Sequence, residues 1–82
     1  MAGRLVLYTR AGCHLCDEML AQAQPVAERH GLVIDPVDID TDFDLSVRYN
    51  ARIPVLALDG EEICHHFLDR DALERALDAA TG

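Results

Sequence analysis

Short runs of strand-forming residues alternate along the chain with longer stretches in which apolar positions recur every three or four residues. Arg4-Leu-Val-Leu-Tyr-Thr9 is mostly apolar, too short for an ordinary helix, and closed by the turn-like Arg10-Ala-Gly12, so it predicts a buried first strand. From about Cys13 to His30, the apolar positions Leu15, Met19, Leu20, Ala23, Val26 and Ala27 fall on one helical face, and Gly31 follows as a stop. Pro25 lies inside that stretch; its ring removes a hydrogen bond and clashes with the turn before it, which predicts a kink or short break near Gln24. Leu32 to Ile39 reads as a second strand, and Pro36 within it, unable to donate to a ladder, assigns that strand to a sheet edge.

A short helix over about Asp42 to Tyr49 leads to a strand at Pro54-Val-Leu-Ala-Leu58. The pair Asp59-Gly60 then signals a two-residue hairpin into a strand over Glu61 to His65. Ala72, Leu73, Ala76, Leu77 and Ala80 share one face of a final helix, with Asp69 as N-cap and Gly82 at its end. The order is β-α-β-α-β-β-α. Right-handed crossovers make the first strands parallel, the hairpin adds an antiparallel pair, and helices cover both faces of a four-stranded mixed sheet. The chain shows no repeats or linkers, and its 82 residues allow one domain, 1–82.

Composition narrows the function. Fifteen Asp and Glu oppose seven Arg, with no Lys, for a net charge of −8, which repels phosphate backbones and anionic lipid surfaces and argues against nucleic-acid or membrane partners. Mean hydropathy is near zero, and the longest apolar runs, such as Ile53–Leu58, are far short of a bilayer span. The N-terminus lacks the apolar stretch of a secretory signal, so the expected location is cytoplasmic. Asp38, Asp40, Asp42 and Asp44 alternate like a calcium loop. However, Phe43 or Leu45 falls where such a loop needs Gly, and Tyr49 or Ala51 where it needs Glu, so the acids read instead as a charged edge and a helix N-terminus.

Three cysteines in a chain of this kind point to reactive or metal-bound thiols rather than a disulfide framework. Cys13-His-Leu-Cys16 falls between the first strand and the first helix, where unpaired backbone N–H groups and the helix dipole stabilise a thiolate. Cys13 is the expected nucleophile. Cys16, one turn on, can resolve a mixed disulfide formed on it. His14 when protonated, and Arg10, add positive charge nearby, against which stand Asp17 and Glu18 in the first turn. A metal reading, zinc or an iron-sulfur cluster, would take Cys13, Cys16, Cys64 and His65 as ligands, but structural zinc sites usually show a second closely spaced pair, and His65 and His66 do not normally point to one side of a strand. Cys64 alone reads as a buried strand residue. His30 and His66 read as surface residues, Tyr8 and Phe67 as packing, and Arg48 and Arg52 as solvated or as partners for a substrate carboxylate.

Tyr8-Thr-Arg-Ala-Gly-Cys13-His-Leu-Cys16 resembles the active-site segment of glutaredoxins, and Ile53-Pro54-Val55 followed by Asp59-Gly60 resembles their cis-proline segment and hairpin. The likeness spans nearly the whole chain and is closest to the glutaredoxin-like proteins long labelled a domain of unknown function, many of which carry this C-H-L-C form. It implies a minimal thioredoxin fold, Cys13 as nucleophile, Cys16 as resolving thiol and Pro54 in cis. It further implies a thiol-disulfide oxidoreductase acting as a monomer on protein or small-molecule disulfides, with no tightly bound cofactor and glutathione at most a cosubstrate. The chain departs from glutaredoxins in having His14-Leu15 where they have Pro-Tyr and Arg10 where they have Lys. Their Gly-Gly pair, where glutathione lies close to the backbone, falls on Cys64-His65, whose side chains fill that place. The rival to catalysis is an adaptor that adds a partner strand along the edge beside Pro54.

Overall fold

In the computed structural model, residues 3–81 are described. The elements run β1 (Leu5–Thr9), α1 (His14–Arg29), β2 (Ile34–Asp38), a 3-10 turn (Ile39–Thr41), α2 (Phe43–Tyr49), β3 (Val55–Leu58), β4 (Glu61–His65) and α3 (Arg70–Thr81). The strands form one sheet in the order β2-β1-β3-β4. β1 runs parallel to β2 and antiparallel to β3, and β3 and β4 form the antiparallel hairpin. This is the thioredoxin-like architecture that the patterning and the resemblance imply. Pro36 sits on the edge strand β2. Gly82 lies outside the described residues.

Alternation along the strands builds two apolar layers. Leu5, Leu7, Ile34, Leu56 and Cys64 cluster with Met19, Ala23, Val26 and Ala27 of α1 and Leu73 and Leu77 of α3. On the opposite face, Val55 packs with Ile39 and Tyr49, supported by Tyr8, Leu45 and Ile53. The Tyr8 and Tyr49 rings stack with centroids 4.4 Å apart. The β3–β4 register shifts between Leu56 and Ala57, so that Ala57 faces Glu62 and Leu56 faces Cys64, with Ile63 as the extra residue. The bulge turns Ile63 and Cys64 toward the larger core, while Glu62 and His65 come together on the other side.

The acids before α2 act as caps. Asp38 Oδ1 accepts from the Asp40 amide at 2.9 Å, and Asp42 Oδ1 accepts from the amides of Asp44 and Leu45 at 2.9 and 3.3 Å. Asp69 caps α3, accepting from the Ala72 amide at 3.0 Å. At the hairpin, Asp59 and Gly60 both take positive φ, 52° and 87°, as a two-residue turn of this hand requires.

Three expectations need correction. α1 runs unbroken through Pro25. The missing donor affects only the carbonyl of Ala21, an exposed residue that water can serve, while Ala23, Val26 and Ala27 hold both halves of the helix on the sheet. Pro25→Ala should therefore restore a helical hydrogen bond and raise the unfolding free energy by about 1 kcal/mol, read as a higher midpoint in a urea melt. His30 is no free surface group: it sits at the end of α1, largely covered, with its Nε2 3.6 Å from Asp78 and 3.9 Å from Glu74 of α3, because the two helices pack side by side there. Phe67 is 70% exposed rather than packed. His66 before it takes φ 65° and the Phe67 amide donates to the His65 carbonyl at 2.7 Å, a tight turn that directs the ring outward.

Candidate active site

Gly12, at φ 77°, turns the chain from β1 into α1, a backbone conformation that a side chain would strain. Cys13 then occupies the N-cap of α1 with extended backbone, and its Sγ accepts a hydrogen bond from the Cys16 amide at 3.1 Å. Cys13 and Cys16 are joined by a disulfide, their Cα atoms 5.2 Å apart. The two sulfurs are not equivalent. Cys13 is partly exposed, whereas Cys16 is buried at 1%. The backbone donor that serves Cys13 Sγ is one of the orphan groups that a helix start leaves free, and it lies where a thiolate on Cys13 would need a donor.

The Ile53–Pro54 peptide bond is cis, and Pro54 is buried. The segment before it is tied down by the Arg52 and Ile53 amides, which donate to the Tyr49 carbonyl at 2.8 and 3.2 Å. His66 clasps the same segment from the other side. Its amide donates to the Pro54 carbonyl at 2.8 Å, and its Nε2 lies 2.9 Å from the Ala51 carbonyl. Its ring stands edge-on to that of His65, 4.9 Å away. Between His66 and Phe67 on one wall and Leu15, Met19 and Glu18 of α1 on the other lies a cleft of about 110 Å³.

Charges around the site are paired. Arg10 forms a two-pronged bond with Asp40, Nε to Oδ2 and an Nη to Oδ1, both 2.9 Å, and holds that carboxyl below the usual carboxylate range. Asp40 thus offsets part of the positive charge that Arg10 carries. Asp40 was read only as part of a charged edge, and nothing in the one-dimensional pattern sets it opposite Arg10. Arg52 likewise faces no open space: one Nη bonds both oxygens of Glu62, at 2.5 and 2.6 Å, and Glu62 also meets His65 Nδ1 at 2.9 Å. The Arg52 bond is the main cause of the lowered pKa of Glu62. This Arg52–Glu62–His65 group escaped the sequence reading, since it depends on the bulge at Ile63. His14 is exposed and pairs with Glu18 at 3.2 Å. Arg48 lies over the Tyr49 ring at 5.9 Å.

Cys64, the remaining cysteine, is buried against the larger core, and burial pushes its thiol pKa up. His65 points to the opposite face, so the two do not meet as a ligand pair. Among the described residues no three His, Cys, Asp or Glu are grouped to hold a metal ion, and no helix is long and apolar enough to cross a membrane. After reduction, an alkylating reagent at about pH 8 should label Cys13 and leave Cys64 untouched until the protein is denatured. A raised pKa in the folded state also fixes a sign. The stabilisation from the neutral Cys64 thiol is complete below the ordinary thiol range of about 8.5 and is lost as pH rises through the raised value, so melts should lose stability on the alkaline side. Cys64→Ala should flatten that limb.

Residues 4–78 match the Glutaredoxin-like domain (DUF836). The chain belongs to this glutaredoxin-like family. Among solved structures, it is similar to a Nitrosomonas europaea protein determined in solution, with 36% identity over 93% of this chain and 92% of that one and a TM-score of 0.83. It is also similar to an X. campestris protein, with 39% identity over 93% and 97% and a TM-score of 0.66. A thioredoxin mutant from Halobacterium salinarum shares 25% identity over 98% of this chain and 75% of its own, at a TM-score of 0.65. The glutaredoxin-like domain thus keeps the thioredoxin-like sheet and carries its cysteine pair where α1 begins.

Proposed function

We propose that this glutaredoxin-like domain is a thiol-disulfide oxidoreductase that cycles Cys13 and Cys16 between dithiol and disulfide in the cytoplasm and uses no bound cofactor. The observation that carries this reading is the asymmetry of the pair. Cys13 is partly exposed at a helix N-cap with an amide aimed at its sulfur, and Cys16, one turn on, is buried. In the reducing direction, the Cys13 thiolate attacks one sulfur of a substrate disulfide, that S–S bond breaks, and the departing thiolate takes a proton. Cys16 then attacks Cys13 Sγ, re-forming the internal disulfide and releasing the second substrate thiol, so two electrons pass to the substrate. Both steps run in reverse for oxidation.

Arg10, His14, Ile53, Pro54, Cys64 and His65 are proposed to shape the surroundings of this exchange rather than to react. His66, which clasps the Pro54 segment, shares a cleft with Leu15, the residue before Cys16. The test is a trap. A Cys16→Ser variant, mixed with an activated aromatic disulfide, should accumulate one covalent adduct per chain, mapped to Cys13 by peptide mass. An adduct on Cys64 instead, or no adduct at all, contradicts the assignment.

A further inference from the structure

We infer that the disulfide exchanged at this site is carried on a polypeptide segment that is apolar beside its cystine and basic around it, and that small anionic thiols such as glutathione are poor partners. This rests on the redox reading above and adds the substrate class. Three observations support it. Two arginines that could meet a substrate carboxylate are already paired: Arg10 with Asp40, and Arg52 with Glu62 through both oxygens. A carboxylate arriving at Arg52 would have to share the guanidinium with Glu62, itself also bonded to His65. The surroundings are acidic: Asp17 and Glu18 follow the cysteines on α1, and the chain carries −8 in all, a field that draws in cations and repels anions. Finally, Phe67 stands 70% exposed on the wall of the cleft that reaches Leu15, between the two cysteines. An isolated exposed aromatic in that position offers an apolar contact to a side chain next to a bound cystine, a contact that a charged tripeptide does not need.

The experiment uses the reduced full chain and three test disulfides: a cystine peptide with Leu beside Cys and Lys flanks, the same peptide with Glu flanks, and oxidised glutathione. Thiol release is followed by stopped flow. The Lys peptide should react about tenfold or more faster than the Glu peptide and oxidised glutathione at low ionic strength, and the gap should close in about 1 M salt, where screening is complete within a few ångströms. Glu62→Gln, which frees Arg52, should raise the rate with oxidised glutathione severalfold. Phe67→Ser, a change on the surface that leaves the core intact, should raise KM for the Lys peptide severalfold. Equal or faster reaction of the Glu peptide or oxidised glutathione at low salt overturns the charge preference, and an unchanged KM in Phe67→Ser overturns the apolar contact. A dithiol that reacts with none of the three, while still forming its internal disulfide with a strong oxidant, overturns this substrate class. One that forms no internal disulfide under any oxidant removes the redox reading beneath it.

Discussion

Cys13→Ser should abolish disulfide reduction, with the turnover rate falling on the order of a thousandfold or more, while the fold is retained. Serine matches the side chain in size, and the Cys13 position is partly exposed, so packing changes little. The loss is chemical. A serine hydroxyl stays protonated at neutral pH even with the Cys16 amide aimed at it, and an oxygen there cannot form the mixed disulfide through which electrons pass. Cys16→Ser should behave differently: the first attack still proceeds, and the reaction stops at an adduct that an added thiol releases. A stopped assay with circular dichroism on both variants separates the outcomes. Cys13→Ser reducing the test disulfide at a rate near that of the parent would mean that another group does the chemistry.

The second large effect concerns stability. Leu56 is fully buried in β3, a central strand, and packs into the layer formed with α1 and α3. Leu56→Ala leaves a cavity between sheet and helices at a position with little freedom to collapse, and should cost about 2–5 kcal/mol. A domain of this size has only about 4–12 kcal/mol to lose. The urea midpoint should therefore fall by about a sixth or more, with the m-value unchanged, and in the least favourable case the variant is largely unfolded at 37 °C. A loss under about 1 kcal/mol would show that the strand lies closer to the surface than the fold described here requires.

Much of this structure was legible in the sequence because it is written in local patterns. The spacing of Met19, Ala23, Val26 and Ala27 gave α1, Pro36 marked an edge strand, Asp59-Gly60 marked the hairpin, and the cysteine pair announced itself by falling where a strand hands over to a helix. What stayed hidden depends on distant residues meeting. Arg10 and Asp40 are thirty positions apart and join only because β1 and β2 lie side by side. Arg52, Glu62 and His65 converge only because Ile63 is an extra residue in β4, which changes the face on which everything after it falls. Phe67 looked like a core residue by type. Its exposure follows from the left-handed backbone of His66, a conformation uncommon outside glycine and not signalled by neighbouring residues. Pro25 shows the opposite case, a strong local rule overridden by packing on both sides of it.

The decisive measurement is the intact mass and thiol count of the purified chain after full equilibration in thiol–disulfide buffers poised from strongly reducing, with dithiothreitol, to strongly oxidising, with glutathione in excess as its disulfide. The expected result is a single two-electron transition with a defined midpoint, a loss of two hydrogens on oxidation that maps to Cys13 and Cys16, and Cys64 remaining a free thiol throughout. Absence of an internal disulfide at every ratio, or a pairing that involves Cys64, would contradict it.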